Sequence, residues 1–154
     1  MYSGRLNTVC LRYFNVFGPR QNPRSQYAAA VPAFIERALK HVPLTVYGDG
    51  EQTRDFVPVQ TVAAANIFLV TQSAATGVFN VAGGRAITIN QLARQICDLA
   101  DSRSEIRHDD ERPGDVKHSL ADISRLQAAG FSSPADFAAA LLATVKFFQS
   151  ANGH

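Results

Sequence analysis

Leu11-Arg12-Tyr13-Phe14-Asn15-Val16-Phe17-Gly18-Pro19-Arg20 carries a strand and the loop that leaves it. Thr8 to Phe14 is short, largely apolar and closed by turn formers, the pattern of a strand buried on both faces. Asn15 follows directly, where the carboxyl ends of strands in open α/β sheets meet ligands. Its amide both donates and accepts, so two roles are open to it: satisfying local backbone, or holding a polar group of a ligand. Gly18-Pro19 to Ser25, rich in Pro, Asn and Arg, reads as a loop.

Outward from this stretch, helices and strands alternate. Val31, Phe34, Ile35, Ala38 and Leu39 fall at a helical period within Ala28 to His41, with Pro32 tolerable only near the start. Leu44 to Tyr47 reads as a short strand closed by Gly48-Asp49-Gly50, and Asp55 to Val59 as extended chain. Thr61 to Gln72 is apolar almost all round, which predicts a buried helix. Gly77 to Ala82 is a strand ending in the Gly83-Gly84 turn. Thr88, with Gln91 three residues on, predicts a capping box for a helix over Ile89 to Ala100. Glu105 to Asp115 is polar with few apolar anchors. A short helix over Asp122 to Ala129 stops at Gly130. Ser133 as cap and Pro134 as first residue predict a last helix, Ala135 to Gln149, before a frayed tail. The alternation gives an α/β class. Only Thr8 to Phe14 and Val78 to Val81 look like central parallel strands, and two strands do not make a stable doubly wound sheet alone.

Composition narrows the function. The 154 residues can bury one real core, and 46% apolar with 18% charged residues is globular composition. A net charge of +2 is too small to indicate nucleic-acid binding, and no apolar run approaches a membrane span of about 20 residues. Met1 to Arg5 lacks the apolar core of a signal peptide. Cys10 and Cys97 sit on apolar patterns without metal or redox spacing, which predicts buried free thiols and a cytoplasmic location. His108, Asp109, Asp110 and His118 lack ligand spacing and read as a solvated loop. No Gly-x-Ser-x-Gly elbow supports a hydrolase.

Three segments, in this order, resemble one family: Leu11 to Arg20, Tyr47-Gly48-Asp49-Gly50-Glu51-Gln52-Thr53-Arg54-Asp55-Phe56, and Arg112-Pro113-Gly114-Asp115. They are similar to the carboxyl-terminal half of nucleotide-sugar epimerases and dehydratases, the extended branch of the short-chain dehydrogenase/reductase family. The likeness runs from about Thr8 to about Phe147. Gln26-Tyr27-Ala28-Ala29 with Val31-Pro32, and His118-Ser119-Leu120-Ala121-Asp122, resemble most the 4-epimerases of UDP-glucose and UDP-N-acetylglucosamine. The fold this implies is α/β: an incomplete Rossmann-like parallel sheet, last strands only, plus the small α/β sugar-nucleotide-binding domain. The whole chain, 1–154, is then one substrate-binding region, with the NAD-binding amino-terminal half absent and the start lying just downstream of the catalytic tyrosine.

The resemblance also distributes roles. Arg54 and Arg112 match the arginines that clamp the diphosphate, and Asp115 the aspartate that holds a ribose hydroxyl; by composition alone each arginine could equally pair with a nearby carboxylate. Val31 and Phe34 match the helix edge that frames the uracil, though Phe34 fits core packing as well. Val46 and Tyr47 match the segment closing the other face of the base. Asn15 joins them as a substrate contact. Two departures, Pro58 and Thr61, alter hydrogen bonding where the half-domains meet, and Ser119 replaces an aromatic ligand contact. The chain has neither a Gly-x-Gly-x-x-Gly fingerprint nor a Tyr-x-x-x-Lys pair. These features imply a UDP-sugar-binding half that is catalytically incomplete alone and binds no NAD by itself. They also imply a homo-oligomer or an NAD-domain partner, without nucleic acid or membrane. A structural remnant that has lost its ligand, or one half of a split enzyme, are the alternatives.

Overall fold

The computed structural model describes residues 7–22, 29–72 and 74–152. Strand β1 (Val9–Tyr13) leads into β2 (Asn15–Phe17), α1 (Ala30–Leu39), β3 (Leu44–Tyr47), β4 (Thr53–Pro58) and α2 (Val59–Thr71). Then follow β5 (Gly77–Val81), β6 (Ala86–Thr88), α3 (Ile89–Leu99), β7 (Ile106–Asp109), α4 (Ser124–Ala128) and α5 (Phe137–Asn152). The two strands with central parallel character find each other: β1 and β5 pair in parallel, Val9 opposite Gly77 through Tyr13 opposite Val81. A second sheet orders β2-β4-β6, parallel then antiparallel, and a third joins β3 and β7 in parallel. The α/β expectation with short parallel sheets is met.

Two apolar clusters fill the structure. The larger takes Val31, Ile35 and Ala38 of α1, Leu44 and Val46 of β3, Leu92 and Ile96 of α3, and Leu141 and Val145 of α5. The smaller takes Val62, Ala65 and Leu69 of α2 with Phe79 and Val81 of β5 and Leu126 of α4. The predicted capping box forms, Thr88 Oγ1 accepting from Gln91 N and Gln91 Oε1 from Thr88 N.

Several expectations need correction. Strand β1 is not buried on both faces: Val9 and Leu11 turn toward the smaller cluster, while Cys10, Arg12 and Tyr13 are exposed. Cys10 is therefore an exposed thiol, and only Cys97 is buried. Helix α2 is covered on one side; Ile67 and Val70 are 66% and 83% exposed on the other. Helix α5 starts at Phe137, two residues later than expected, and its cap is Asp136, whose Oδ2 accepts from Ala139 N at 3.0 Å. Ser133 instead bonds Thr61 Oγ1 at 2.8 Å, which satisfies the buried hydroxyl at a departure from the family pattern. Periodicity also passes over β2, β6 and β7; each is three or four residues long, and β7 has one apolar residue, so pairing rather than pattern defines them. Met1 to Arg5, Pro23 to Ala28 and the final Gly153-His154 lie outside the described residues.

Asp55 ties these pieces together. It is fully buried in β4. Its Oδ1 accepts from Gly83 N at 2.7 Å, and its Oδ2 from Gly84 N at 3.1 Å and Ala121 N at 3.2 Å. Gly83 must be glycine, since a Cβ there would lie 2.5 Å from the Phe56 carbonyl oxygen. Asp55→Asn keeps one acceptor but turns a donor toward buried N–H groups, so stability falls by about 2–4 kcal/mol in denaturant titration, at roughly 1–3 kcal/mol per stranded group. Burial pushes the Asp55 carboxyl above its usual range, against the amides of Ala121, Gly83, Gly84 and Arg85. A carboxyl raised on folding contributes stability that is present below its unfolded value and lost as pH rises through its folded one. The gap in melting temperature between wild type and Asp55→Asn therefore widens on acidification from neutral; a narrowing gap would show that the amides outweigh burial.

Candidate functional site

The amino end of β2, the carboxyl end of β3, the first turns of α1, strand β4 and the 112–115 turn surround one cavity of about 850 Å³. That volume falls within the range of small-molecule sites. Seven of the eight residues singled out from the sequence line it: Asn15, Phe34, Val46, Tyr47, Arg54, Arg112 and Asp115. Val31 does not. The cavity meets α1 along Ala30, Ala33 and Phe34, one helical stripe, whereas Val31 lies on the adjoining stripe with Ile35 and Ala38, fully buried in the main core. Phe34 is packed in the main core, 5% exposed, and also lines the cavity.

Asn15 sits at the start of β2, paired opposite Phe56, and its Nδ2 donates to Asp55 O at 2.9 Å. One of the two roles open to it, satisfying backbone, is thus in place, with the donor side of the amide engaged.

The two arginines differ. Arg54, on β4, is half-buried and well held. Its guanidinium pairs with the Asp115 carboxylate, donates to the Val116 carbonyl, and donates to Thr53 O at 2.8 Å. The partner is not the adjacent Asp55, whose oxygens are taken by backbone amides, but the aspartate of the distant Arg-Pro-Gly-Asp segment. Two motifs 61 positions apart therefore meet through one ion pair. Thr53 adds backbone to this seam, donating from N to Lys117 O at 2.8 Å and accepting at O from Ser119 N at 3.1 Å.

Arg112 has no carboxylate partner among the described residues. Its Cζ stands 3.8 Å from the centroid of the Tyr47 ring, flat-stacking distance for a guanidinium on an aromatic face. Tyr47 itself is fixed by pairing with Asp109, and its carbonyl accepts from Gln52 Nε2 at 2.7 Å.

Gln52 is a cavity residue not singled out from the sequence. With Nε2 committed to Tyr47, its Oε1 is buried and has no partner among the described residues. Its position two before Arg54, with side chains alternating along extended chain, was the available signal. The glycine pair serves structure here: the Gly83 and Gly84 amides bond Asp55, leaving them no phosphate to cradle. His108, considered above as a metal ligand, approaches Asn90 Oδ1 through Nε2 at 3.1 Å.

The cavity thus combines a flat aromatic platform, two guanidiniums, a carboxylate and an amide, which is the equipment for an anionic ligand with a planar ring. Comparison with known proteins identifies the family. The family model for the NAD dependent epimerase/dehydratase family matches residues 2–82, just over half the chain, and the chain belongs to that family. A putative UDP-glucose 4-epimerase of Methanocaldococcus jannaschii is 32% identical over 142 residues, covering 92% of this chain and 46% of that protein. The structure of a UDP-N-acetylglucosamine 4-epimerase from Methanobrevibacter ruminantium M1, in complex with UDP-N-acetylmuramic acid, superposes with a TM-score of 0.91 at 49% identity, covering 97% of this chain and 48% of the other. A UDP-glucose 4-epimerase from Thermotoga maritima with UDP-glucose gives 0.88 at 33% identity, covering 94% and 46%. The chain spans a little under half the length of these relatives.

Arg54 is the strut of the 112–118 segment. Arg54→Ala speeds amide hydrogen exchange there by about tenfold, the worth of one charge-assisted bond of about 1.5 kcal/mol, with protection in α3 unchanged. Equal exchange in both proteins would show that the segment is held by its backbone alone.

Proposed function

We propose that this chain is the UDP-sugar-binding half of a nucleotide-sugar 4-epimerase-like protein, catalytically incomplete by itself. The observation that carries the reading is the convergence of Arg54, Arg112, Asp115, Tyr47 and Asn15 on one cavity from motifs far apart in sequence. In this reading Arg112 and Arg54 take the diphosphate, Asp115 a ribose hydroxyl, and Tyr47, Phe34 and Val46 enclose the uracil.

The chemistry lies elsewhere. The family's chemistry is a hydride exchange with NAD, and the residues present do not fit that cofactor. The only adjacent glycines, Gly83 and Gly84, are spent on Asp55, and no Tyr-x-x-x-Lys pair occurs. The second reading, an NAD-domain partner or a second copy completing the protein, has its own support. Strand β1 is paired by β5 alone among the described residues, and Ile67, Val70, Val78 and Tyr13 expose apolar surface around it. An open strand edge beside apolar surface is an association site. A cytoplasmic location belongs to the same reading, supported by two unpaired cysteines. No helix among the described residues is long and apolar enough to cross a membrane.

Calorimetric titration with UDP and UDP-sugars is the direct test. Binding is expected, and Arg112→Ala weakens UDP by about tenfold or more, since a charge-assisted bond contributes roughly 1.5–3 kcal/mol. Equal affinity in both proteins removes Arg112 from the site, and no binding to either favours a scaffold that has lost its ligand. Pure chain supplied with NAD and a UDP-hexose is expected to show no 4-epimerisation, and any turnover overturns catalytic incompleteness. Light scattering at micromolar concentration is expected to show a dimer or larger species, whereas a monomer stable to dilution without a partner would count against the exposed β1 edge as an association site.

A further inference from the structure

We infer that Arg112 caps the base-stacking face of Tyr47, so that a base stacks there at the cost of that contact unless its own phosphates rehouse the displaced guanidinium. The inference rests on the UDP-binding reading above and concerns how that site selects among ligands.

The Tyr47 ring is the platform. Tyr47 ends β3 and lines the cavity, and its backbone is fixed by pairing with Asp109 and by the Gln52 bond to its carbonyl. At 3.8 Å from the ring centroid, Arg112 fills the space where a planar base would stack on that face. A base and a guanidinium therefore exclude each other there.

Arg112 is placed to leave. It lies in an exposed turn closed by the bond from Asp115 N to Arg112 O at 3.1 Å. The turn is anchored at its far end, where Arg54 grips Asp115 and the Val116 carbonyl. Between them Gly114 adopts φ +79°, with nothing within 4 Å of where a Cβ would stand. The Arg112 side chain can swing off Tyr47 while the Asp115 anchor stays closed.

The two halves of a nucleotide then act together. A nucleoside without phosphates must break the cation–π contact and gives the guanidinium nothing in return. A nucleoside diphosphate breaks the same contact and supplies anionic oxygens to the freed side chain. Arg112 thus raises affinity for the diphosphate and lowers it for the bare nucleoside, which makes it a specificity-determining residue with effects of opposite sign.

The test titrates uridine and UDP, by ligand-observed NMR and calorimetry, into wild type and Arg112→Ala, with melting curves as a check on folding. Arg112→Gln serves as a second variant, read in the same way. The expected result is that uridine tightens about two- to fivefold on removal of Arg112, the worth of one exposed cation–π contact, while UDP weakens. Uridine unchanged or weakened while UDP still weakens overturns the cap and leaves Arg112 as a simple phosphate ligand. Absence of UDP binding to wild type overturns the site reading, and the cap with it.

Discussion

One buried carboxylate sets the geometry of this chain. Asp55 sits on β4 between the two apolar clusters, and its oxygens gather amides from the glycine turn after β5 and from the segment before α4. Its own carbonyl receives Asn15 at the start of β2. A carboxylate cannot be buried unless such donors surround it, so folding β4 into place obliges two remote pieces of chain, the glycine turn and the segment before α4, to arrive with it. The glycines follow from this: Gly83 approaches the Phe56 carbonyl too closely for a side chain, and Gly84 takes a positive φ. What looks in sequence like a candidate phosphate turn is a cradle for an internal anion.

The neighbouring residue then builds outward. Because side chains alternate along extended chain, Arg54 points away from the Asp55 cradle and toward the cavity. There it meets Asp115 and fixes the 112–115 turn against the sheet. Tyr47, carried on a strand paired with β7, faces the same space. An anion held inside and a cation aimed at the rim are consecutive residues of one strand, which is why the Arg-Asp dipeptide serves the fold and the site at once. A change at Asp55 is accordingly expected to reach the cavity through β4 even though Asp55 does not line it.

Much of this was legible from residues. The paired parallel strands, the amphipathic α1, the capping box at Thr88 and seven cavity residues all follow from pattern or resemblance. Other features were hidden for physical reasons. Strands β2 and β7 have too few residues for alternation to register, and their stability comes from partners remote in sequence. Val31 could not be separated from Phe34 by proximity in sequence; only the phase of α1 sends one to the core and the other to the cavity. Ser133 looks like a cap, but the buried Thr61 hydroxyl claims it, and Asp136 takes over the cap. Gln52 stands two before Arg54, but a glutamine beside an arginine is no motif, and its place shows only in an amide whose nitrogen is satisfied and whose oxygen has no partner among the described residues.

Helix α2 presents the sharpest mismatch between sequence and burial. Helix α3 is apolar on one face and polar on the other, and its burial follows that division, with Leu92, Ala93 and Ile96 inside and Arg94 and Asp98 outside. Helix α2 has no polar face to match its exposed one: Ile67 and Val70 stand in solvent beside β1. A helix that is apolar all round is the sequence of an element covered on all sides, and covering apolar surface stabilises by about 25 cal/mol per Å². The exposed face of α2 and the single-sided pairing of β1 lie together, so one additional surface, contributing a strand edge and apolar cover, would resolve both. The chains it matches are about twice as long as this one, which gives such a surface ample room.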